Sequence, residues 1–262
     1  MFFRRGRPLT FAACASPAVA LVATAAFAPL PFSVAQPGVT ADVLGSYKGD
    51  EVIRITGAAV RRTDGQLRMT TIVATGPDAR IGLGDVVDGW FRDDRAVMPR
   101  DAVYPSGGTT QQIERHNAQE MTRSQDAATS AALAYLGKSP DQVKVRLKLA
   151  DIGGPSAGLL LSLGVVDKLA GDGHGGDLTG GRTIAGTGTI TADGKVGPVG
   201  GVGLKTQAAR RDGATVFLVP KAECGEAKAE LPSGLRLVAV STLKGTLDSL
   251  AKIRRGEPAP AC

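Results

Sequence analysis

The stretch GGPSAG, residues 153–158, joins two segments of different periodicity and decides how the chain is read. Before it, VKVRLKL (143–149) alternates apolar and basic residues, the period of a half-buried strand. After it, LLLSLGVVDKLAG (159–171) places Leu159, Leu160, Leu163, Val166 and Leu169 at helical spacing. A strand that enters a helix through glycines has three readings. It can be a tight turn in which Ser156 caps the helix. It can cradle phosphate on the N–H groups of the helix start. Or it can present Ser156 as a nucleophile, with the same helix end favouring the alkoxide and holding an oxyanion. The phosphate reading lacks the Gly-Lys-Ser/Thr that should follow. The nearest stretch, GTITADGKV (188–196), has five residues between its glycines and Val196 where a hydroxyl is needed.

A serine nucleophile needs a base. The chain has two histidines: His116 on a polar helical stretch and His174 in the glycine-rich GDGHGGD (171–177). Neither has a supporting pattern, and both read as solvated surface residues. A lysine can serve when apolar burial lowers its pKa. Lys205 is the best placed, in GPVGGVGLKTQAA (197–209), with glycine, valine and leucine before it and no acid near in sequence. Lys195, beside Asp193 in a turn, reads as an ordinary charged residue. No His/Cys/Asp cluster has ligand spacing, so no metal or cofactor is expected.

The 262 residues suffice for one large domain or two small ones. The formal charge is +6, but Arg4, Arg5 and Arg7 lie in a first 35 residues without acids, leaving +3 for the rest. No basic stripe interleaves with aromatics, which argues against nucleic acid as a partner. RRGR (4–7) precedes the uncharged TFAACASPAVALVATAAFAPLPFSVA (10–35), long enough to span a bilayer and ending in a small-x-small pattern. The segment reads as an uncleaved anchor or a cleaved signal peptide, with a buried core helix as the bland alternative. Either export reading puts the remaining chain outside the cytoplasmic membrane. Cys224 and Cys262 then form a candidate disulfide, the alternative being two unpaired thiols.

Along the chain, residues 36–41 read as a short linker with Pro37 and Gly38. EVIRITGAAV (51–60) and QLRMTTIVA (66–74) read as a hairpin about RRTDG. Residues 76–110 show no firm period. Residues 109–137 read as a long helix with Gly137 as its C-cap. RTIAGTGTITADGKVGPVGG (182–201) reads as two short strands around ADGK, LKTQAARRDGA (204–214) as a helix stopped at Gly213, TVFLVP (215–220) as a buried strand and LRLVAVS (235–241) as another. The tail from Arg254 reads as loose.

GGPSAG, followed by the lysine of GPVGGVGLK, resembles the proteolytic domain of Lon proteases, which use a Ser–Lys dyad. GQLRMTT (65–71), EMTRSQDAATSAALAYL (120–136), VKVRLKL and RRDGATVFLVP (210–220) are similar to segments of that family in the same order. AGTGTITADGKVGPVGG (185–201) looks like the segment whose threonine supports the lysine, here Thr187. The likeness covers about residues 43–250. It is closer still to membrane-anchored extracytoplasmic Lon-like proteins of Gram-positive bacteria, on PLPFSVAQPGVTADVLG (29–45). Many of those carry a PDZ domain after the long helix, but here Gly137 leaves no room before Val143. Two departures stand out. Gly153 occupies a position usually acidic, with Asp151 two places back, and Gly203 and Leu204 stand where Lon commonly has Lys and Glu.

The resemblance implies a compact α+β Lon-type domain over 41–250, after a signal or anchor and linker (1–40) and before a tail (251–262). It implies Ser156 as nucleophile, Lys205 as base, Thr187 as support for the lysine, and an oxyanion hole at Gly154, Pro155 and Ser156. The expected activity is ATP-independent endopeptidase action on unfolded or extended protein segments. The expected partners are a peptide substrate, the membrane through the N-terminal segment, and further copies of the chain, since Lon-like domains often form rings. The rival reading is a catalytically silent envelope module that holds peptides in the same groove.

Overall fold

The computed structural model describes residue 17 and residues 28–104, 108–149 and 152–262. Most of the apolar segment behind the export readings lies outside the described residues. Among those described, no helix is long and apolar enough to cross a membrane. The chain is mixed α+β. Its strands are β1 (Phe32–Asp42), β2 (Ser46–Tyr47), β3 (Asp50–Glu51), β4 (Ile53–Thr56), β5 (Gln66–Ala74), β6 (Ala96–Pro99), β7 (Lys144–Leu147), β8 (Thr183–Gly186), β9 (Thr189–Ile190), β10 (Val196–Gly197), β11 (Val216–Pro220) and β12 (Arg236–Val240). Its α-helices are α1 (Leu83–Trp90), α2 (Arg100–Val103), α3 (Thr110–Tyr135), α4 (Gly158–Leu169), α5 (Val202–Arg211), α6 (Cys224–Ala229) and α7 (Leu243–Arg254).

Contacts divide the chain into two units. The smaller takes the described residues up to Ala35 together with Ala74–Gly108. In it, Phe32–Ala35 pairs antiparallel with β6, and Leu30 donates to the carbonyl of Ile81 at 2.7 Å. The larger unit takes Gln36–Val73 and Thr109–Cys262. Its sheet runs β12-β11-β8-β5-β1, with β12, β11, β8 and β5 mutually parallel along the order. Crossover helices put cover on both faces, so β11 is apolar at every position, the pattern of a strand buried on both sides. Val216, Leu218, Val238, Val240 and Ile184 turn to a core shared with α3, α4 and α7. Phe217, Val219, Leu237 and Ala185 turn to a second core shared with α5 and α6.

α4 is buried on every side, as a helix in the middle of a core must be. Leu159, Leu160, Leu161 and Leu163 are fully buried, each contributing about 2 kcal/mol over leaving it exposed. α3 starts where its signals place it: Thr109 accepts from the Gln112 N–H, and the Gln112 side chain accepts from the Thr109 N–H at 2.9 Å. Beyond it Gly137 has φ +61, the left-handed cap only glycine takes cheaply.

Several expectations need correction. Residues 36–41 are no linker but part of β1. Gly38 is buried there, and a Cβ on it would lie 2.3 Å from Thr71 Oγ1 on β5. The hairpin does not form: β4 pairs antiparallel with β7, 90 residues away, while β5 runs between β1 and β8. The stretch 76–110 holds α1, β6 and α2. The tail is tied down: the Ala239 N–H donates to the Pro260 carbonyl at 3.0 Å, Ala259 is buried, and Cys262 is disulfide-bonded to Cys224 with their Cα atoms 5.2 Å apart.

Candidate active site

Ser156 sits in a 3₁₀ turn, Pro155–Ala157, that leads directly into α4. Three contacts hold this turn. The Gly154 N–H donates to the Asn117 carbonyl on α3 at 3.0 Å, and Ser124 Oγ, two turns further along α3, donates to the Pro155 carbonyl at 3.0 Å. The Ser156 carbonyl accepts from the Gly188 N–H at 2.9 Å. The packing explains the glycines. Gly154 has φ +87, and a Cβ on Gly158 would lie 2.9 Å from both Ile190 Cγ2 and Ser124 Oγ.

Thr187, fully buried at the end of β8, connects this turn to Lys205. Its hydroxyl donates to the Ser156 carbonyl at 3.3 Å and accepts from Lys205 Nζ at 3.2 Å. A threonine has one proton to give. With it directed at Ser156, the remaining lone pairs face the amine, so the link runs in one direction, from lysine through threonine to the serine backbone.

Lys205 projects from the first turn of α5 and is 3 % exposed. Burial pulls its pKa from 10.5 down to about 8, against the opposing pull of Glu226 and Glu223. The start of α5 has no side-chain cap of its own; Gly201 enters it in the left-handed region, φ 66. Glu226 on α6 supplies the cap from outside, accepting from the Val202 N–H at 2.6 Å and from the Gly203 N–H at 3.4 Å. One carboxylate thus fixes the helix that carries the lysine and raises the lysine's proton affinity. Glu223 is pushed up by its own burial, and its Oε2 has no hydrogen-bond partner among the described residues.

Of the oxyanion candidates, two are corrected. Pro155 has no N–H to offer, and the Gly154 N–H is engaged by Asn117. Ser156 keeps the only N–H of the three not already excluded. Both histidines are exposed, and Lys195 is an exposed partner of Asp193 at 2.9 Å. Ser124, Asn117, Glu223 and Glu226 carry weight that sequence reasoning missed. Ser124 is a polar residue on the otherwise apolar stripe of α3, which is the signal that could have found it, whereas Asn117 acts through its backbone carbonyl and leaves none. The glutamates act across elements and leave no such signal.

A cleft of about 690 Å³, lined by Asn117, Met121, Leu147, Lys148, Leu149 and Gly153 among others, reaches the chain just before the turn but is not lined by Ser156, Thr187 or Lys205. It lies between α3 and the chain leaving β7, whose only strand partner among the described residues is β4. A second cleft of about 300 Å³ is walled by Tyr135, Asp172, Leu247 and Arg254.

Residues 120–252, just over half of the chain, match the family model of the Lon protease (S16) C-terminal proteolytic domain. Similar curated proteins include Lon protease 2 of Bacillus subtilis (30% identical over 121 residues, 45% of this chain and 21% of that protein) and the Lon protease of Chloroflexus aggregans (34% over 125 residues, 41% and 14%). The Lon protease of Roseiflexus castenholzii is 39% identical over 83 residues, 32% of this chain and 10% of its own. The chain thus spans about a fifth or less of the length of these relatives.

Proposed function

The chain belongs to the Lon protease (S16) proteolytic-domain family, and from that premise we propose that it is a serine endopeptidase in which Ser156 is the nucleophile and Lys205 the base. The observation that carries the reading is the buried lysine amine, inclined to neutrality near pH 8 and joined through the Thr187 hydroxyl to the backbone of Ser156. Neutral Lys205 takes the Ser156 Oγ proton while Oγ bonds to the peptide carbonyl carbon. The oxyanion is held by the Ser156 N–H. The C–N bond then breaks and Lys205 returns its proton to the leaving amine. Water adds to the acyl ester, giving a proton to Lys205, and the ester bond breaks as that proton passes back to Oγ.

The cleft along β7 suits an extended chain, whose backbone can lie beside a strand with one edge unpaired among the described residues. No GxxxxGK[ST] pattern occurs in the 262 residues, and the enzyme is proposed to act without ATP on segments already extended. Leu30 and Phe32–Ala35 belong to the folded unit, but the uncharged residues 10–29 before them are still long enough to span a bilayer and support an extracytoplasmic site of action with the chain held at the membrane.

The test offers a stably folded protein and the same protein unfolded by mutation, with and without ATP. Wild-type chain should degrade only the unfolded form, regardless of ATP. Ser156→Ala and Lys205→Ala should abolish cleavage with their folding intact. Turnover by either variant defeats the dyad. ATP-dependent loss of the folded substrate defeats the ATP-independent reading.

A further inference from the structure

Nine large apolar side chains are exposed among the described residues, and four of them fall within nine consecutive positions: Leu83 (44 %), Val87 (45 %), Trp90 (80 %) and Phe91 (87 %). These positions are α1 and its C-cap, in the smaller unit. At about 100° per residue they share one sector of the helix, while Asp85 falls on the far side and Asp88 on the flank.

α1 is firmly seated, so the exposure is not that of a frayed end. Val86 is buried, and a Cβ on Gly89 would lie 2.6 Å from Val97 Cγ2, which brings the helix backbone down onto β6. Asp85 accepts from the Gly82 N–H at 2.8 Å, and Arg95 pairs with Asp88 at 2.6 Å. Arg92 is paired with Asp94 at 2.9 Å. Arg92 and Arg95, the cations at the end of the helix, are therefore neutralised in place. This suits a surface that must leave water without a counter-charge to meet it.

The position of α1 in the chain indicates what covers this face. The uncharged segment starting at residue 10 delivers the chain to Leu30, and Leu30 is hydrogen-bonded to Ile81, two residues before Leu83. A helix with a tryptophan and a phenylalanine beside its apolar stripe stands next to the point where a bilayer-length segment ends. Aromatic side chains favour the headgroup level of a bilayer, where the ring body is apolar and the indole N–H stays hydrated.

We infer that α1 lies in the interfacial plane of a phospholipid bilayer, with Leu83, Val87, Trp90 and Phe91 inserted at the headgroup–acyl boundary. The inference rests on the membrane-held reading above and not on the catalytic one. Because Arg92 and Arg95 are already paired with carboxylates, the docking has no need of anionic lipid, and zwitterionic lipid suffices.

Trp90 is the only tryptophan of the chain, so its emission reports on the face directly. The full chain is reconstituted in phosphatidylcholine vesicles, with or without bromine on the acyl chains near the glycerol. Bromination should quench Trp90 by roughly a factor of two or more, as insertion at the acyl boundary requires. Leu83→Asp combined with Val87→Asp, both at exposed positions, should abolish the quenching and leave thermal unfolding and casein-type cleavage unchanged. Flotation of the vesicles separates the two readings. A chain that floats with Trp90 unquenched overturns the docking and keeps the anchor, and a chain that neither floats nor quenches overturns both. A concentration-dependent blue shift of Trp90 without lipid would show that a second copy covers the face, and also overturns the inference.

Discussion

Replacing Lys205 by Met should abolish cleavage and, at the same time, stabilise the fold at neutral pH. Met fills the space of the lysine stem with an unbranched apolar chain and carries no charge to desolvate. The folded lysine has its pKa near 8 and its ordinary value is 10.5. Between those values the unfolded chain holds a proton that the folded chain has released, so wild-type stability rises with pH across the window. Below pH 8 both states are protonated, and the folded state carries the full cost of a buried ammonium. A separation of this size corresponds to about 3 kcal/mol. The variant should therefore exceed wild type by a margin that is constant up to about pH 8 and then shrinks by about 3 kcal/mol as pH reaches 10.5. Loss of the hydrogen bond to Thr187 shifts the whole curve by about 1 kcal/mol but adds no slope. Urea unfolding of both proteins at half-unit steps from pH 7 to 10.5 measures the difference, in which all distant titrations cancel. A difference flat across the window would mean that Lys205 stays charged when folded and cannot be the base. The kinetic counterpart is direct: at pH 7 about a tenth of Lys205 is neutral, so kcat/KM should climb about tenfold to a plateau above pH 9.

Thr187→Val keeps the volume and removes the hydroxyl that links Lys205 to the Ser156 carbonyl. Steady-state kinetics should show kcat falling with KM little changed, at a stability cost of about 1–3 kcal/mol. Glu226→Gln retains an acceptor for the Val202 N–H but deletes a charge that raises the Lys205 pKa, so the activity midpoint should move to lower pH; an upward move would contradict the assignment. Cys224→Ser opens a closure over 38 residues, worth about 4 kcal/mol on a chain-entropy estimate, and calorimetry should show a reductant lowering the Tm of wild type but not of the variant.

The parts of the site that could be read in the sequence are those whose causes are local. The serine turn depends on glycines within a few residues, α3 on the Thr109–Gln112 capping pair, and Lys205 on the apolar, acid-free run before it. What escaped depends on distant partners. β4 alternates well enough to be called a strand, but nothing within it says that β7 rather than β5 lies alongside. Pro37 and Gly38 look like breakers, yet at that point of β1 a glycine is what lets the backbone pass close to Thr71. The tail from Arg254 looks loose by composition and is held by Ala239 and Cys224, residues no local window contains. Glu226 belongs to a different helix from the one it caps.

β12 is the outer strand of the larger unit's sheet, and an outer strand is a template on which any extended polypeptide can add itself. For a protein proposed to work among unfolded chains that hazard is constant. Here the position is taken: the Pro260 carbonyl occupies the outward N–H of Ala239, a proline offers no N–H in return, and the bond from Cys262 to Cys224 prevents displacement by competition. An extended chain that meets the far edge of the sheet thus finds the Ala239 position already occupied, and the covalent closure of the tail keeps it so.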